Sequence, residues 1–303
     1  MTILLTGGAG FIGSHMAAHL LSGQVKFVVV DNLSNTDKTN LVILSKHFNR
    51  DIPFYKCDLR DKDRLRRVFS EHGITSIIHF AGLKSVADSV INPGLYHDNN
   101  VTGSEVLMDV AEEFEVDNFI FSSSATVYGE PQYLPFDEEH PLSAANPYAQ
   151  TKIDIENLLI QRDYFSQHCS TKILRYFNPV GAYPNGLIGE QPNGTPNNLM
   201  PYMVGVANQT YPYLRGFGID YPTPDGSAIR DYIHIMDLVE AHHLAMTHKS
   251  HGVHIWNVGT GKGSSVLEIL HVFNEVNGFA IPFKTHPRRP GDVSSMFADT
   301  AKI

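Results

Sequence analysis

The sequence predicts an α/β fold, a doubly wound parallel sheet with a smaller mixed α/β lobe. Three observations predict it. Short apolar runs rich in β-branched residues alternate with longer amphipathic stretches, as in a buried parallel sheet with crossover helices. A glycine-rich turn joins the first apolar run to the first helical stretch. The chain has 303 residues, of which 42% are hydrophobic and 18% charged, enough to bury a full core. A net charge of -9 argues against nucleic acid or an anionic membrane as partner. No stretch reaches the roughly 20 apolar residues of a membrane span. Two cysteines, Cys57 and Cys169, make no disulfide framework, so a reducing, cytoplasmic setting is expected.

Six runs read as successive strands: Ile3 to Thr6, Phe27 to Asp31, Pro53 to Asp58, Ser76 to Phe80, Asn118 to Ser122 and Ile173 to Tyr176. Each is followed by a turn or helix signal, and residues 1–177 are the regular part of the chain. After Asn178 the segments GAYPNGLIGEQPNGTPNNLMP and GFGIDYPTPDGSAIRD are dense in Gly, Pro and Asn and read as loops, which often build ligand sites. Helical periodicity returns over Asp231 to Met246 and Ser265 to Asn274. Residues 178–303 are therefore expected to form the small lobe, with about 229–247 returning to the first domain. Asp299 resembles a helix cap with only the first turn of a helix behind it, so the chain reads as shortened at its C-terminus.

ILLTGGAGFIGSHMAAHLL sets Gly7, Gly10 and Gly13 between a strand and an amphipathic helix, where a diphosphate can rest on bare backbone at the helix N-terminus. The carboxylate of Asp31, 18 residues past Gly13, closes the second strand and suits the ribose hydroxyls of NAD. It would repel the extra phosphate of NADP, and DNLSNT offers no arginine to receive that group. Asp58 can be read either as an acceptor for the adenine amine or as a cap. The GxxGxxG spacing points to the short-chain dehydrogenase/reductase superfamily.

Tyr148 and Lys152 stand four apart in NPYAQTKIDIENLL, a helical pattern that begins after Pro147, so they share one helix face. An adjacent ammonium and a nicotinamide cation favour the phenolate, and Tyr148 can then remove a hydroxyl proton. FIFSSSATVYG ends a strand with three serines, and Ser124 is placed to hydrogen-bond the reacting oxygen.

Together TGGAGFIGSH, DNLSN, HFAGLKSVADSV, DNNVTG, FIFSSSATVYGE, PYAQTK, LRYFNPVGA, PNNLMPY, DYPTPDGSAIRDYIHIMDL and RRPGD resemble, from end to end, the UDP-glucose 4-epimerase family of extended short-chain dehydrogenases. The resemblance implies an enzyme that keeps NAD bound, oxidises carbon 4 of UDP-glucose or UDP-galactose, lets the 4-keto sugar turn over and returns the hydride to its other face. It implies that Phe11 and Ile12 contact the diphosphate, that Asp31, Asn32, Leu33, Ser34, Asn35 and Thr36 form the ribose loop, and that Asp58 and Leu59 meet the adenine. Phe80, Ala81, Gly82, Leu83 and Lys84 form a further loop at the cofactor, with Asn99 beside it. Ser124 and Tyr148 bond the 4-hydroxyl, Lys152 holds the nicotinamide ribose and Phe177 packs near the nicotinamide. Lys84, Asn178, Asn198, Leu199, Arg230, Arg289 and Asp292 serve the sugar nucleotide, the arginines through bidentate contacts. Met296 falls where many bacterial members have tyrosine and others a small residue, near carbon 2 of the sugar, so acceptance of N-acetylated substrates is open. Family members usually continue some tens of residues further.

Sugar-nucleotide 4,6-dehydratases and decarboxylases of the superfamily typically carry an acid before VYG; here Ala125 and Thr126 precede Val127. A non-catalytic descendant would be expected to lose Tyr148 or Lys152, and both are present. His15 with His19, and Glu240 with His243, have a spacing a metal could use but lack a third ligand nearby, so no metal is expected. The resemblance also implies that Val101 to Phe114 and Ile153 to Phe165 pair across a two-fold homodimer as a four-helix bundle.

Overall fold

A computed structural model describes residues 1–248, 250–289 and 291–303. Its first half alternates strand and helix: β1 (Thr2–Thr6), α1 (Phe11–Ser22), β2 (Lys26–Asp31), α2 (Thr39–Phe48), β3 (Phe54–Lys56), α3 (Lys62–His72) and β4 (Ser76–His79). Then come α4 (Val86–Ile91), α5 (Pro93–Tyr96), a wide π turn over 97–102, α6 (Gly103–Glu113), β5 (Asn118–Ser124), α7 (Pro147–Gln161) and β6 (Ser170–Tyr176). The remainder holds β7 (Asn178–Val180), α8 (Leu199–Ala207), β8 (Leu214–Phe217), β9 (Ile229–His234), α9 (Ile235–Thr247), β10 (Gly252–Val258), β11 (Gly263–Ser265), α10 (Val266–Asn277), β12 (Phe283–His286) and β13 (Ser295–Met296).

The main sheet is wholly parallel, in the order β10-β6-β5-β4-β1-β2-β3. Alternation along each strand feeds two cores. Ile3, Leu5, Phe27 and Val29 pack with Met16, Leu20 and Leu238 on the face of α1 and α9, while Leu4, Val28, Val30 and Ile77 pack with Val68, Leu107 and Ile155 on the face of α3, α6 and α7. Burial on both faces explains why these strands read as continuous apolar runs. The order reverses between β1 and β4, and ligands of open α/β sheets bind outside the strand C-termini at such a point.

Four expectations are corrected. Residues 252–258, GVHIWNV, form a seventh strand beside β6 that was not anticipated. Residues 231–234 are strand rather than helix: β9 pairs with β7, β11 and β13, and α9 starts only at Ile235, its first turn capped by the His234 ring, which accepts from Met236 N at 3.2 Å. The return to the main sheet therefore runs through α9 and β10, while 229–234 belongs to the second sheet. The two segments read as loops also contribute the start of α8, the end of β8 and the start of β9, and in the two strands pairing partners outweigh local Gly and Pro content. Asp299 does not start a helix; its carboxylate accepts from Ala301 N at 2.9 Å in a turn, and Asp299 N donates to Phe136 O at 2.6 Å.

Candidate active site

The turn after β1 is built to bring backbone close to backbone. Gly7 has φ +67°, and a Cβ there would lie 2.6 Å from Ala81 N; a Cβ on Gly13 would lie 2.5 Å from Gly7 O. Only hydrogens fit at either point. Gly10 ends the turn at the start of α1, whose first turn carries no acidic residue and no side-chain cap. The amides of Phe11, Ile12 and Gly13 thus leave a positive helix end unneutralised by the chain, a cradle that fits a diphosphate.

Asp31, 8% exposed at the end of β2, accepts from Leu33 N at 2.8 Å and Ala9 N at 3.1 Å, so its carboxylate locks the glycine turn to the following loop. Burial raises its pKa, with both amides opposing. In that loop Leu33 takes a positive φ, Asn32 accepts from Ser34 N at 3.0 Å, Ser34 and Asn35 are exposed, and Thr36 donates to Ala9 O at 3.3 Å. Asp58 is not the cap of α3; Asp61 is, accepting from Arg64 N. Instead Asp58 takes a two-pronged contact from Arg60, at 2.8 and 2.7 Å, which holds its carboxyl down at about 2, and accepts from Asn32 at 3.4 Å. Leu59 turns away into the core of α3 and α6.

The loop Phe80 to Lys84 leaves β4 beside Gly7. Asn100, from the π turn, accepts from Leu83 N at 2.8 Å and donates to Leu83 O at 3.0 Å and to Thr151 Oγ1 at 3.1 Å, clamping that loop to α7; Asn99 donates to Asn100 at 2.9 Å. Asn100 was not singled out from sequence, although a π insertion in an otherwise regular helix often marks a functional position.

On α7, Asn146 accepts from Ala149 N at 2.9 Å and Pro147 occupies the first turn, so Tyr148 stands at the helix start, half-buried. The Lys152 Nζ lies 5.8 Å from the Tyr148 ring centre and donates to Ser122 O at 2.7 Å. Burial lowers Lys152 to about 8, with Glu156 opposing, so it remains mostly charged at neutral pH. Burial also pushes Tyr148 up to about 12, with Ser124 drawing it down and Tyr96 raising it. The Lys152 ammonium donates to the Ser122 carbonyl on β5, and within the chain alone burial favours the phenol form of Tyr148. Ser124 Oγ accepts from Thr126 N at 3.3 Å and Thr126 Oγ1 at 3.0 Å, leaving its own proton to donate.

Behind these groups lie two buried polar assemblies that sequence patterns alone did not reveal. His79 links Thr6 Oγ1 at 2.7 Å with Ser104 Oγ at 2.8 Å, and burial, reinforced by the Lys152 charge, lowers it to about 3, so the ring is neutral. Arg175 binds Glu156 at 2.7 and 3.1 Å, Tyr128 Oη at 3.1 Å and Glu138 O at 3.2 Å; Ser123 donates to the same Glu156. The two cysteine thiols are buried and pushed up to about 11, chiefly by desolvation.

Beside Ser124, Phe177 packs with Ala125, Val127, Tyr128 and Phe136, and Met296 touches the same cluster, so Met296 comes to the strand end that carries Ser124. Asn178 opens β7. Asn198 precedes α8 without capping it, and Leu199 is its first residue. Arg289 reaches Asp292 at 2.8 Å and Arg230, largely buried, lies 3.8 Å from the same carboxylate. Burial lowers Arg230, with Asp292 opposing. Phe217 lies under Arg289, 5.0 Å from ring centre to guanidinium. Of the residues expected at the sugar nucleotide, Arg230, Arg289 and Asp292 are brought together directly, and Lys84 and Asn198 meet at Glu190. His19, Glu240 and His243 sit close, but among the described residues no three potential ligands gather as a metal site.

The model of the NAD dependent epimerase/dehydratase family matches residues 3–259. The chain belongs to that family. Among its relatives, the UDP-glucose 4-epimerase of Neisseria meningitidis serogroup A is 49% identical over 300 residues, covering 98% of this chain and 88% of the relative. That of Bacillus subtilis is 47% identical over 304 residues, covering 100% and 90%. The crystal structure of UDP-glucose 4-epimerase from Bifidobacterium longum in complex with NAD+ and UDP is similar to this chain with TM-score 0.96 at 42% identity, over 100% of this chain and 91% of that one. Family membership agrees with the parallel seven-stranded sheet and with a glycine turn shaped for a dinucleotide.

Proposed function

We infer that the chain catalyses the UDP-glucose 4-epimerase reaction, interconverting UDP-glucose and UDP-galactose with NAD. The observation that carries this reading is the convergence of Tyr148, Ser124 and Lys152 at the C-terminal end of β5, where Ser124 hydrogen-bonds Tyr148 and the Lys152 Nζ lies 5.8 Å from the Tyr148 ring centre, one strand from the point where the sheet order reverses. NAD, when bound, supplies a hydride acceptor for carbon 4 and a positive charge. Tyr148 takes the proton of the 4-hydroxyl as the carbon–hydrogen pair leaves, and gives it back when the hydride returns. Because burial holds Tyr148 near 12, proton removal depends on the positive charge that Lys152 and the cofactor together place nearby. Ser124 donates to the sugar oxygen as charge develops there. Lys152, fixed on Ser122 O, orients the nicotinamide ribose.

In this reading Gly7, Gly10, Phe11, Ile12, Gly13, Asp31 to Thr36, Asp58, Phe80 to Lys84, Asn99 and Phe177 hold NAD. Lys84, Asn178, Asn198, Leu199, Arg230, Arg289 and Asp292 hold the UDP-sugar, and Met296 faces the sugar. Leu59, whose side chain lies in the core, contributes backbone only. Residues 1–177 form the NAD unit and 178–303 the UDP-sugar lobe, with α9 and β10 returning to the first. The reading places the enzyme in the cytoplasm as a homodimer joined through α6 and α7; no helix among the described residues is long and apolar enough to cross a membrane.

The test is incubation of the purified chain with UDP-galactose and no added redox substrate, following UDP-glucose by chromatography. Steady conversion to an equilibrium mixture is expected. Absence of conversion with NAD also supplied would overturn the assignment of substrate.

A further inference from the structure

Glu190 was not among the expected site residues, yet two of them converge on it. Its Oε1 lies 3.3 Å from the Lys84 ammonium and accepts from Asn198 Nδ2 at 3.0 Å. Lys84 comes from the loop after β4 and Asn198 from the approach to α8, so one carboxylate ties the two sides of the cleft together. Its own position is firm. Residues 182–189 fold back on themselves, with Tyr183 N donating to Ile188 O at 3.0 Å and Ala182 bridging Gly189, and Gly189 O accepts from Asn40 Nδ2 at 3.2 Å, which fastens the turn to α2. The Glu190 side chain is only 11% exposed, whereas Lys84 is 61% exposed. The carboxylate is the buried member of the pair and the ammonium the exposed one.

A carboxylate that occupies both donors presents to them what a phosphate oxygen would present: a negative oxygen at hydrogen-bond distance. Resting on the reading that Lys84 and Asn198 bind the UDP-sugar, we propose that Glu190 is a charge placeholder for the substrate diphosphate. It keeps the two donors gathered across the cleft in the substrate-free chain and hands them over when the dianion arrives. After the exchange its own negative charge stands near the diphosphate and works against retention of the nucleotide, so Glu190 weakens ground-state binding while keeping release fast.

The sign of this effect separates a placeholder from a merely supporting residue. UDP is titrated calorimetrically into the NAD-loaded wild-type chain and into Glu190→Gln, Lys84→Met and the double variant. Glu190→Gln keeps shape and acceptor but loses charge, and is expected to bind UDP roughly two- to fivefold more tightly, the scale of one semi-exposed ion pair. That gain is expected to shrink in the Lys84→Met background, since the contact being competed for is gone. Equal or weaker UDP binding by Glu190→Gln, with NAD content and thermal midpoint as in wild type, overturns the proposal. So does a gain that is undiminished without Lys84. Failure of the wild-type chain to bind UDP would instead overturn the reading of the site on which the proposal rests.

Discussion

Replacing Tyr148 with Phe is expected to lower kcat by about three orders of magnitude, within the range of roughly 10²–10⁴ for loss of a positioned acid–base group. The substitution removes one oxygen from a half-buried ring whose neighbours, Lys152 and Ser124, are held by other contacts. The pocket therefore keeps its shape. Retained NAD, read from absorbance after gel filtration, and UDP affinity are expected to stay within about twofold, because uniform binding is untouched when only a transition-state contact is lost. Turnover equal to wild type would remove Tyr148 as the proton carrier. Loss of NAD along with activity would instead make it a structural residue.

The second large effect is expected at Arg175. Its guanidinium and the Glu156 carboxylate are 3% and 1% exposed and satisfy each other with two hydrogen bonds, the remaining donors going to Tyr128 and Glu138 O. Arg175→Met strands a buried carboxylate one helical turn from Lys152, and about 3–5 kcal/mol of stability is expected to go with it. Urea denaturation measures this. Glu156→Leu combined with Arg175→Met removes both charges and is expected to recover part of the loss, since desolvation no longer opposes folding. A single variant as stable as wild type would show that the pair is not what holds β6 to α7.

Much of the scaffold was legible because its rules are local. Ile3 to Thr6 followed by three spaced glycines can only turn tightly into a helix, and the backbone meets there at distances no Cβ tolerates. Tyr148 and Lys152 four apart after a proline had to share a helix face. What was not legible depends on partners distant in sequence. GVHIWNV lacks a turn signal that distinguishes it from a helix flank, and only β6, some eighty residues earlier, makes it a strand. DYIH reads as helical because the period of its apolar residues continues into α9, but three neighbouring strands override that period. Asn100, His79, Arg175 and Glu190 are single polar residues without a spacing pattern, and their meaning lies in which buried atoms they join. Asp58 shows the same limit in reverse: a recognisable carboxylate whose nearest cation, Arg60, was two residues away and went unread.

The central claim is that carbon 4 of the sugar gives up its hydrogen to a cofactor the chain retains and receives the same hydrogen back. UDP-galactose deuterated at carbon 4 tests this most directly when turned over in ordinary water. The account predicts UDP-glucose that keeps its deuterium at carbon 4 through many turnovers. Washout of the label to solvent would contradict it.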